Sequence, residues 1–178
     1  ILEKCIEQGY AKNIHLSYNT NGSIFPENKV HLWKHFKKVQ IFFSIDDVDE
    51  RFNYIRHPGK FDQVIANMKK FTELEGNFEF AMFQTVGILN ICNLKELTEY
   101  VEANLPIYVH YNMVFEPKHM SAKCLPVEVK NKILNSAEFK KDSPTAPAFI
   151  RNEPCDFEQS KKDLIQKINK FSELGEKA

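Results

Sequence analysis

The stretch Val39-Gln-Ile-Phe-Phe-Ser-Ile-Asp46 predicts the strongest β-strand of this 178-residue chain, because it is short, apolar and rich in aromatic and β-branched residues. Its odd-numbered residues are all apolar, and they form the face that we expect helices to cover. The opposite face carries Gln40, Phe42, Ser44 and the terminal aspartate. The stretch therefore predicts a sheet that is covered by helices on one face and is mostly polar on the other.

Helices and strands alternate along the chain on both sides of this strand. Further strands are predicted at residues 14–20, 78–86 and 107–115, and helices at residues 1–9, 26–36, 49–55, 61–74, 94–103, 126–139 and 156–174, with a loop at 141–154. Strands that alternate with helices of about ten residues or more pair in parallel through right-handed crossovers. The sequence therefore predicts an α/β fold with four parallel strands and C-terminal helices.

The first and fourth strands continue the two-faced pattern, whereas the third strand is ambiguous. A filled barrel interior favours Val, Ile and Leu, so a polar inner face fits a concave, open barrel that holds ligands. The alternative is an α/β sheet with one solvated face. The polar-face candidates are His15, Ser17, Asn19, Gln84, His110 and Asn112, and the helix-facing candidates are Ile14, Leu16, Tyr18, Val109, Tyr111, Met113 and Phe115.

The charge and hydrophobicity of the sequence argue against a nucleic-acid or membrane partner. The 24 Lys and Arg residues balance the 24 Asp and Glu residues, so there is no overall basic field to attract nucleic acid. The sequence has neither a long apolar run of the kind that spans a bilayer nor a charged-then-apolar leader. We therefore expect a cytoplasmic protein without a nucleic-acid or membrane partner. The first residue is Ile1, which suggests a piece excised from a longer protein.

The cysteines do not form a local metal-binding motif. Cys5, Cys92, Cys124 and Cys155 are all far apart, so no CxxC or CxxxCxxC cluster is encoded. Spacing alone leaves disulfides open, but the missing leader favours reduced thiols. We therefore expect four small core or surface residues and no metal ligands in this chain.

Three motifs lie at the ends of successive strands, with two further runs between the second and the third. Asn19-Thr-Asn-Gly22 ends the first strand, and Phe43-Ser-Ile-Asp46 ends the second. The runs at 51–56 and 61–67 (Arg-Phe-Asn-Tyr-Ile-Arg and Phe-Asp-Gln-Val-Ile-Ala-Asn) come next, and Gln84-Thr-Val-Gly87 ends the third strand. Together, over roughly residues 1–117, they resemble radical S-adenosylmethionine enzymes, particularly the subgroup with a C-terminal SPASM or shorter twitch extension.

The resemblance implies a partial (β/α)6 barrel, of which these four strands would be the third to the sixth. Residues 1–117 would be the C-terminal part of that barrel, and residues 118–178 a helical C-terminal extension packed on it. In the family, a CxxxCxxC loop after the first strand holds a 4Fe-4S cluster that cleaves S-adenosylmethionine to start radical chemistry. That segment is absent here, so the chain alone is not expected to be active, and the parent protein is expected to be an oxidoreductase that acts on a peptide or protein.

The resemblance also assigns residues to the cofactor. Ser44 matches a serine that contacts the methionine part or the ribose, and Arg56 matches an arginine that pairs with the methionine carboxylate. Asp46 matches the acid of a Ser-Ile-Asp-Gly run, in which Asp47 here replaces the glycine and puts the turn geometry in doubt. The remaining candidates are Asn21 and Thr20 at the pocket rim, Met113 or Val114 behind the adenine, and Gln84, His110 and Asn112 as substrate-lining residues.

Several simpler interpretations stay open from the sequence. Ser44 can be an ordinary strand-end residue, Arg56 can pair on the surface with Asp49 or Glu50, and Asn21 can serve the turn alone. The protein can be a non-catalytic half-barrel that binds a nucleoside or a peptide, or a barrel enzyme of other chemistry. The strand that begins at Ile14 is predicted to be an open edge, paired with a second copy or shielded by the loop at 141–154.

Overall fold

The computed structural model of the chain describes residues 1–135 and 157–175. The strands are β1 His15–Thr20, β2 Lys38–Ser44, β3 Phe78–Val86 and β4 Tyr108–Met113. The helices are α1 Leu2–Glu7, α2 Val30–Trp33, α3 Asp49–Ile55, α4 Phe61–Thr72, α5 Leu94–Asn104, α6 Val127–Asn135 and α7 Phe157–Gly175, with short 3-10 turns at Ala11–Asn13, Lys118–Met120 and Ala122–Cys124.

The four strands form one all-parallel sheet in the order β1-β2-β3-β4. Tyr18 of β1 is opposite Ile41 of β2, and Ile41 is in turn opposite Phe80 of β3. The expectation of an α/β fold with four parallel strands and helices is confirmed. Within the described residues β1 pairs with β2 alone, so it lies at one end of the strand order as predicted.

Most predicted elements occur close to their expected bounds, and α3 and β3 match them fully. The helix expected at 26–36 is shorter, since only Val30–Trp33 is α-helical. This single helical turn buries two of the apolar residues of the segment, Leu32 and Trp33. The loop at 141–154, and the end of the helix predicted at 126–139, lie outside the described residues.

The chain divides into two compact units, Ile1–Gln84 with Glu96–His110, and Thr85–Lys95 with Tyr111–Ala178. The first unit is built around the helix-covered face of the sheet. Val39, Ile41 and Phe43 of β2 are at most 1 % exposed there, and the apolar stripe of α4 packs in the same core. That stripe consists of Phe61, Val64, Ile65, Met68 and Phe71, as its spacing predicted.

The second unit has its own smaller core. Val86, Ile91 and Leu94 pack in it with Ala122 and with two residues of α6. The boundary that the sequence predicted between residues 117 and 118 stays a prediction.

The open polar face is present on β1, where His15, Ser17 and Asn19 are exposed while the alternate residues pack on the core. Two placements on the sheet were wrong. Gln84 lies on the helix-covered side, since it alternates with Met82, which is opposite the buried Phe43, and it is fully buried. Phe115 follows the end of β4 and is 65 % exposed, with the Lys123 ammonium 5.7 Å from its ring centroid.

Two further features bear on the sequence-based expectations. No helix among the described residues is both long and apolar enough to cross a bilayer. Cys5 and Cys92 are free thiols, but Cys124 is disulfide-bonded. The expectation of reduced thiols is therefore wrong for Cys124, because cysteines distant in sequence can be brought together by folding.

Candidate functional site

The site begins where β2 ends. Ser44 is the last residue of β2 and is half-buried, and the next residues, Ile45 to Val48, are buried as the chain turns into α3. Arg56 follows α3 directly. Because α3 has only seven residues, or about two turns, the long side chain of Arg56 at its end still reaches back to Asp46. The short helix thereby places a guanidinium beside the residues that follow β2.

Asp46 and Arg56 form an ion pair at this position. The Nε–H of Arg56 donates to Oδ2 of Asp46. The Asp46 side chain is only 6 % exposed, whereas that of Arg56 is 34 % exposed. The carboxylate therefore lies behind the guanidinium, and the guanidinium is the part that a ligand in solvent can reach.

A neighbouring strand fixes the backbone of Asp46. The side-chain amide of Gln84 on β3 donates to the carbonyl oxygen of Asp46 over 2.9 Å. Both residues are buried, so this bond is shielded from water. The Oε1 atom of Gln84 is also buried and has no hydrogen-bond partner among the described residues. Gln84 thus supports the acid from the protein side rather than from the open face.

Asp47 forms a second carboxylate–arginine pair next to the first. Its Oδ1 accepts from the Val48 N–H and from Nε of Arg51, both over 2.9 Å, and Arg51 also pairs with Glu96 on α5. Burial raises the pKa of Asp47 above its ordinary value, more than the bonds from Val48 and Arg51 lower it. The two acids therefore fasten both ends of α3, one through Arg51 and the other through Arg56.

The turn after β1 is held by its own side chains. Oδ1 of Asn21 accepts from the N–H and the hydroxyl of Ser23, which is the bonding of an Asx turn. Gly22 has a φ of +72°, and Asn67 on α4 donates to its carbonyl oxygen over 2.9 Å. Asn21 is exposed, and its side-chain oxygen Oδ1 is already bonded within the turn. Its role at a pocket rim stays a prediction.

The open face of the first unit carries a row of rings across three strands. Phe42 meets Phe83 edge to face with centroids 5.3 Å apart, and His110 stacks on Phe83 with centroids 5.0 Å apart. Beside this row Gln40 donates to Glu79 of β3, and Lys38 pairs with the same carboxylate. His110 is exposed and so remains available to a ligand on this face.

Two of the predicted residues belong to the second unit. Met113 ends β4, is half-buried and packs against the second core. Asn112 is exposed on the same strand. Within the first unit the structure therefore pairs Asp46 with Arg56 just after the strand end that carries Ser44, while the roles predicted for Met113 and Asn112 stay predictions.

The residues of the site suit an anionic or zwitterionic organic ligand better than a metal ion. Arg56 offers the N–H groups that Asp46 does not use, and Ser44 offers a hydroxyl. Among the described residues, no group of three or more His, Cys, Asp or Glu side chains could hold a metal ion. No protein-family model matches the chain, and no curated protein matches it either.

Sequence reasoning did not predict the two ion pairs, Asp46 with Arg56 and Asp47 with Arg51. Arg56 was considered for a surface pair with Asp49 or Glu50, but its partner is the buried Asp46. Asp47 and Arg51 are four residues apart, and that helical spacing could have indicated their pair. The replacement of glycine by Asp47 does not strain the turn, since the residue with left-handed backbone among the described non-glycine residues is Asp49, two positions later, with a φ of 47°.

Proposed function

We propose that this chain is part of a radical S-adenosylmethionine oxidoreductase, and that its sheet is a portion of that family's partial (β/α) barrel. The observation that carries the proposal is the ion pair of Asp46 and Arg56, which forms just after Ser44 ends β2. In open α/β sheets and barrels, ligands bind at the carboxyl ends of the strands. The three residues that resemble the family's cofactor contacts thus occupy the expected end of the sheet.

The chemistry of the donors fits the methionine part of S-adenosylmethionine. A guanidinium has five N–H groups, and the bond to Asp46 uses the one on Nε. The Nη edge can therefore meet a carboxylate with two parallel hydrogen bonds. The hydroxyl of Ser44 is half-buried at the same strand end and can either donate or accept. Bound S-adenosylmethionine would supply the radical that begins the reaction.

The cluster that the family uses does not fit onto this chain. Its three thiolates would come from a CxxxCxxC segment, and no such spacing occurs in the 178 residues. This chain would contribute the carboxylate-binding and ribose-binding side of the cofactor site and part of the substrate space. On the open face, the exposed ring of His110 is the candidate contact for a peptide or protein substrate.

A second function, from a different class, is a non-catalytic half-barrel domain that binds a nucleoside or a peptide. The observation that favours it is the same open face, which has rings for stacking and polar side chains but needs no cluster to bind. The two functions differ in whether a cluster accompanies the site. They also differ in whether binding prefers S-adenosylmethionine over a simple nucleoside.

The test uses the full reading frame that contains this chain, expressed and reconstituted with iron and sulfide without oxygen. We expect the visible absorption of a thiolate-ligated cluster, its loss when cysteines of a CxxxCxxC segment are changed, and release of 5′-deoxyadenosine from S-adenosylmethionine. Arg56→Ala should weaken binding of S-adenosylmethionine, with Arg51→Ala as the matched control that leaves it nearly unchanged. A colourless protein that binds adenosine as well as S-adenosylmethionine would overturn the enzyme and favour the half-barrel.

A further inference from the structure

Asp46 is too deeply buried to share in ligand binding in the way that its match to the family suggests. Its side chain is 6 % exposed, and its Oδ2 is turned towards Arg56. Arg56 is several times more exposed. A carboxylate ligand can therefore meet the guanidinium, whereas Asp46 lies on the far side of that group.

The position of Asp46 is itself fixed. Gln84 holds its backbone carbonyl from β3, and the neighbouring residues Ile45 and Asp47 are both buried. Asp46 is thus fixed relative to the sheet. Its bond to Arg56 therefore restricts a long side chain that would otherwise sample many rotamers.

Resting on the proposed function, we infer that Asp46 is a positioning residue: it orients the guanidinium of Arg56 so that the Nη edge faces the carboxylate of S-adenosylmethionine. The pair leaves Nη1 and Nη2 for the ligand, which is the edge that gives two parallel hydrogen bonds. Two effects oppose each other. The negative charge of Asp46 repels the ligand carboxylate, and the fixed orientation removes the cost of ordering Arg56 on binding.

We expect the orientation effect to be the larger one, because the guanidinium that neutralises Asp46 is also the more exposed member of the pair. Ordering one long side chain on binding is equivalent to a factor of about ten in affinity at most. Asp46→Asn keeps the shape of the side chain and weakens its hold on Arg56. It should therefore lower the affinity for ligands with the carboxylate by up to about tenfold, and leave ligands without it unchanged.

The experiment measures dissociation constants of the full-length protein for S-adenosylmethionine and for 5′-methylthioadenosine, which keeps the nucleoside but has no carboxylate. Asp46→Asn should weaken binding of S-adenosylmethionine alone. Asp47→Asn, the matched change in the neighbouring acid, should leave the ratio of the two constants as in the wild type. A loss shared equally by both ligands would indicate a general structural effect and overturn the inference.

The outcomes also separate the inference from the proposed function. If the wild-type protein does not bind S-adenosylmethionine, the proposed function fails and the inference fails with it. If the wild type binds it and Arg56→Ala weakens that binding, but Asp46→Asn does not, the proposed function stands and Asp46 has no positioning role. A selective loss in Asp46→Asn, absent in Asp47→Asn, supports both.

Discussion

Gly22 is the position where a single methyl group should do the most damage to the first unit. Its φ of +72° lies in the left-handed region, where a Cβ costs about 1–2 kcal/mol. A Cβ there would also lie 2.8 Å from Cγ1 of Val64, which is 1 % exposed on α4. Overpacking of a filled core costs about 1–3 kcal/mol. Gly22→Ala should therefore lower the free energy of unfolding by about 3 kcal/mol.

Gly9 offers a matched control. Its φ is +73°, nearly the same as that of Gly22, but a Cβ at Gly9 would meet nothing within 4 Å. Gly9→Ala should therefore show the backbone cost alone, about 1 kcal/mol. The difference between the two variants isolates the steric contact with Val64.

Urea unfolding followed by tryptophan fluorescence is a direct assay, because the chain has one tryptophan, Trp33, and it is buried in the first core. Val64→Ala completes a double-mutant cycle, since it removes the methyl group that the new Cβ would meet. We expect Gly22→Ala to cost much less in the Val64→Ala background. Equal losses for Gly9→Ala and Gly22→Ala, or additivity with Val64→Ala, would refute the steric argument.

Two further predictions concern ionisable groups. Because burial raises the pKa of Asp47, the folded chain keeps a proton that the unfolded chain releases, so the free energy of unfolding should fall as pH rises from about 3.8 through the folded pKa and stay lower above it. Urea titrations at several pH values across this range measure that dependence, and Asp47→Asn should remove the contribution of Asp47 to it. The same pH dependence of the free energy of unfolding in the wild type and the variant would contradict the prediction. Bonds from Lys38 and Gln40 lower the pKa of Glu79, so in an NMR titration Lys38→Met should raise it towards 4.5, while an unchanged pKa would show that the ion pair does not form in solution.

The elements and the strand faces follow from local patterns, which is why much of the fold was predictable. On β2 the buried residues alternate with half-buried ones, and every buried one is apolar while Phe42 is the one apolar residue at a half-buried position. On α4 the buried residues are the apolar stripe. A period in the sequence is enough in both cases, because each element buries one face against the same core.

Gln84 shows where such reasoning fails. A polar letter in an ambiguous strand predicted the polar face, but the register with β2 places it on the helix-covered face, where it bonds to the carbonyl of Asp46. A buried amide is acceptable there because it satisfies a backbone group that would otherwise lose its hydrogen bond. That compensation involves a residue 38 positions earlier and cannot be seen in a local window.

The sequence by itself determined the order of the elements and the α/β fold with four parallel strands. Only the tertiary structure decided which acid holds which arginine. Asp46 and Asp47 are adjacent, and each can pair with an arginine of the same segment, so their pairing depends on the path of α3. That path is set by the burial of Val48 and Phe52 in the core, which is a property of the packed chain and not of the motif.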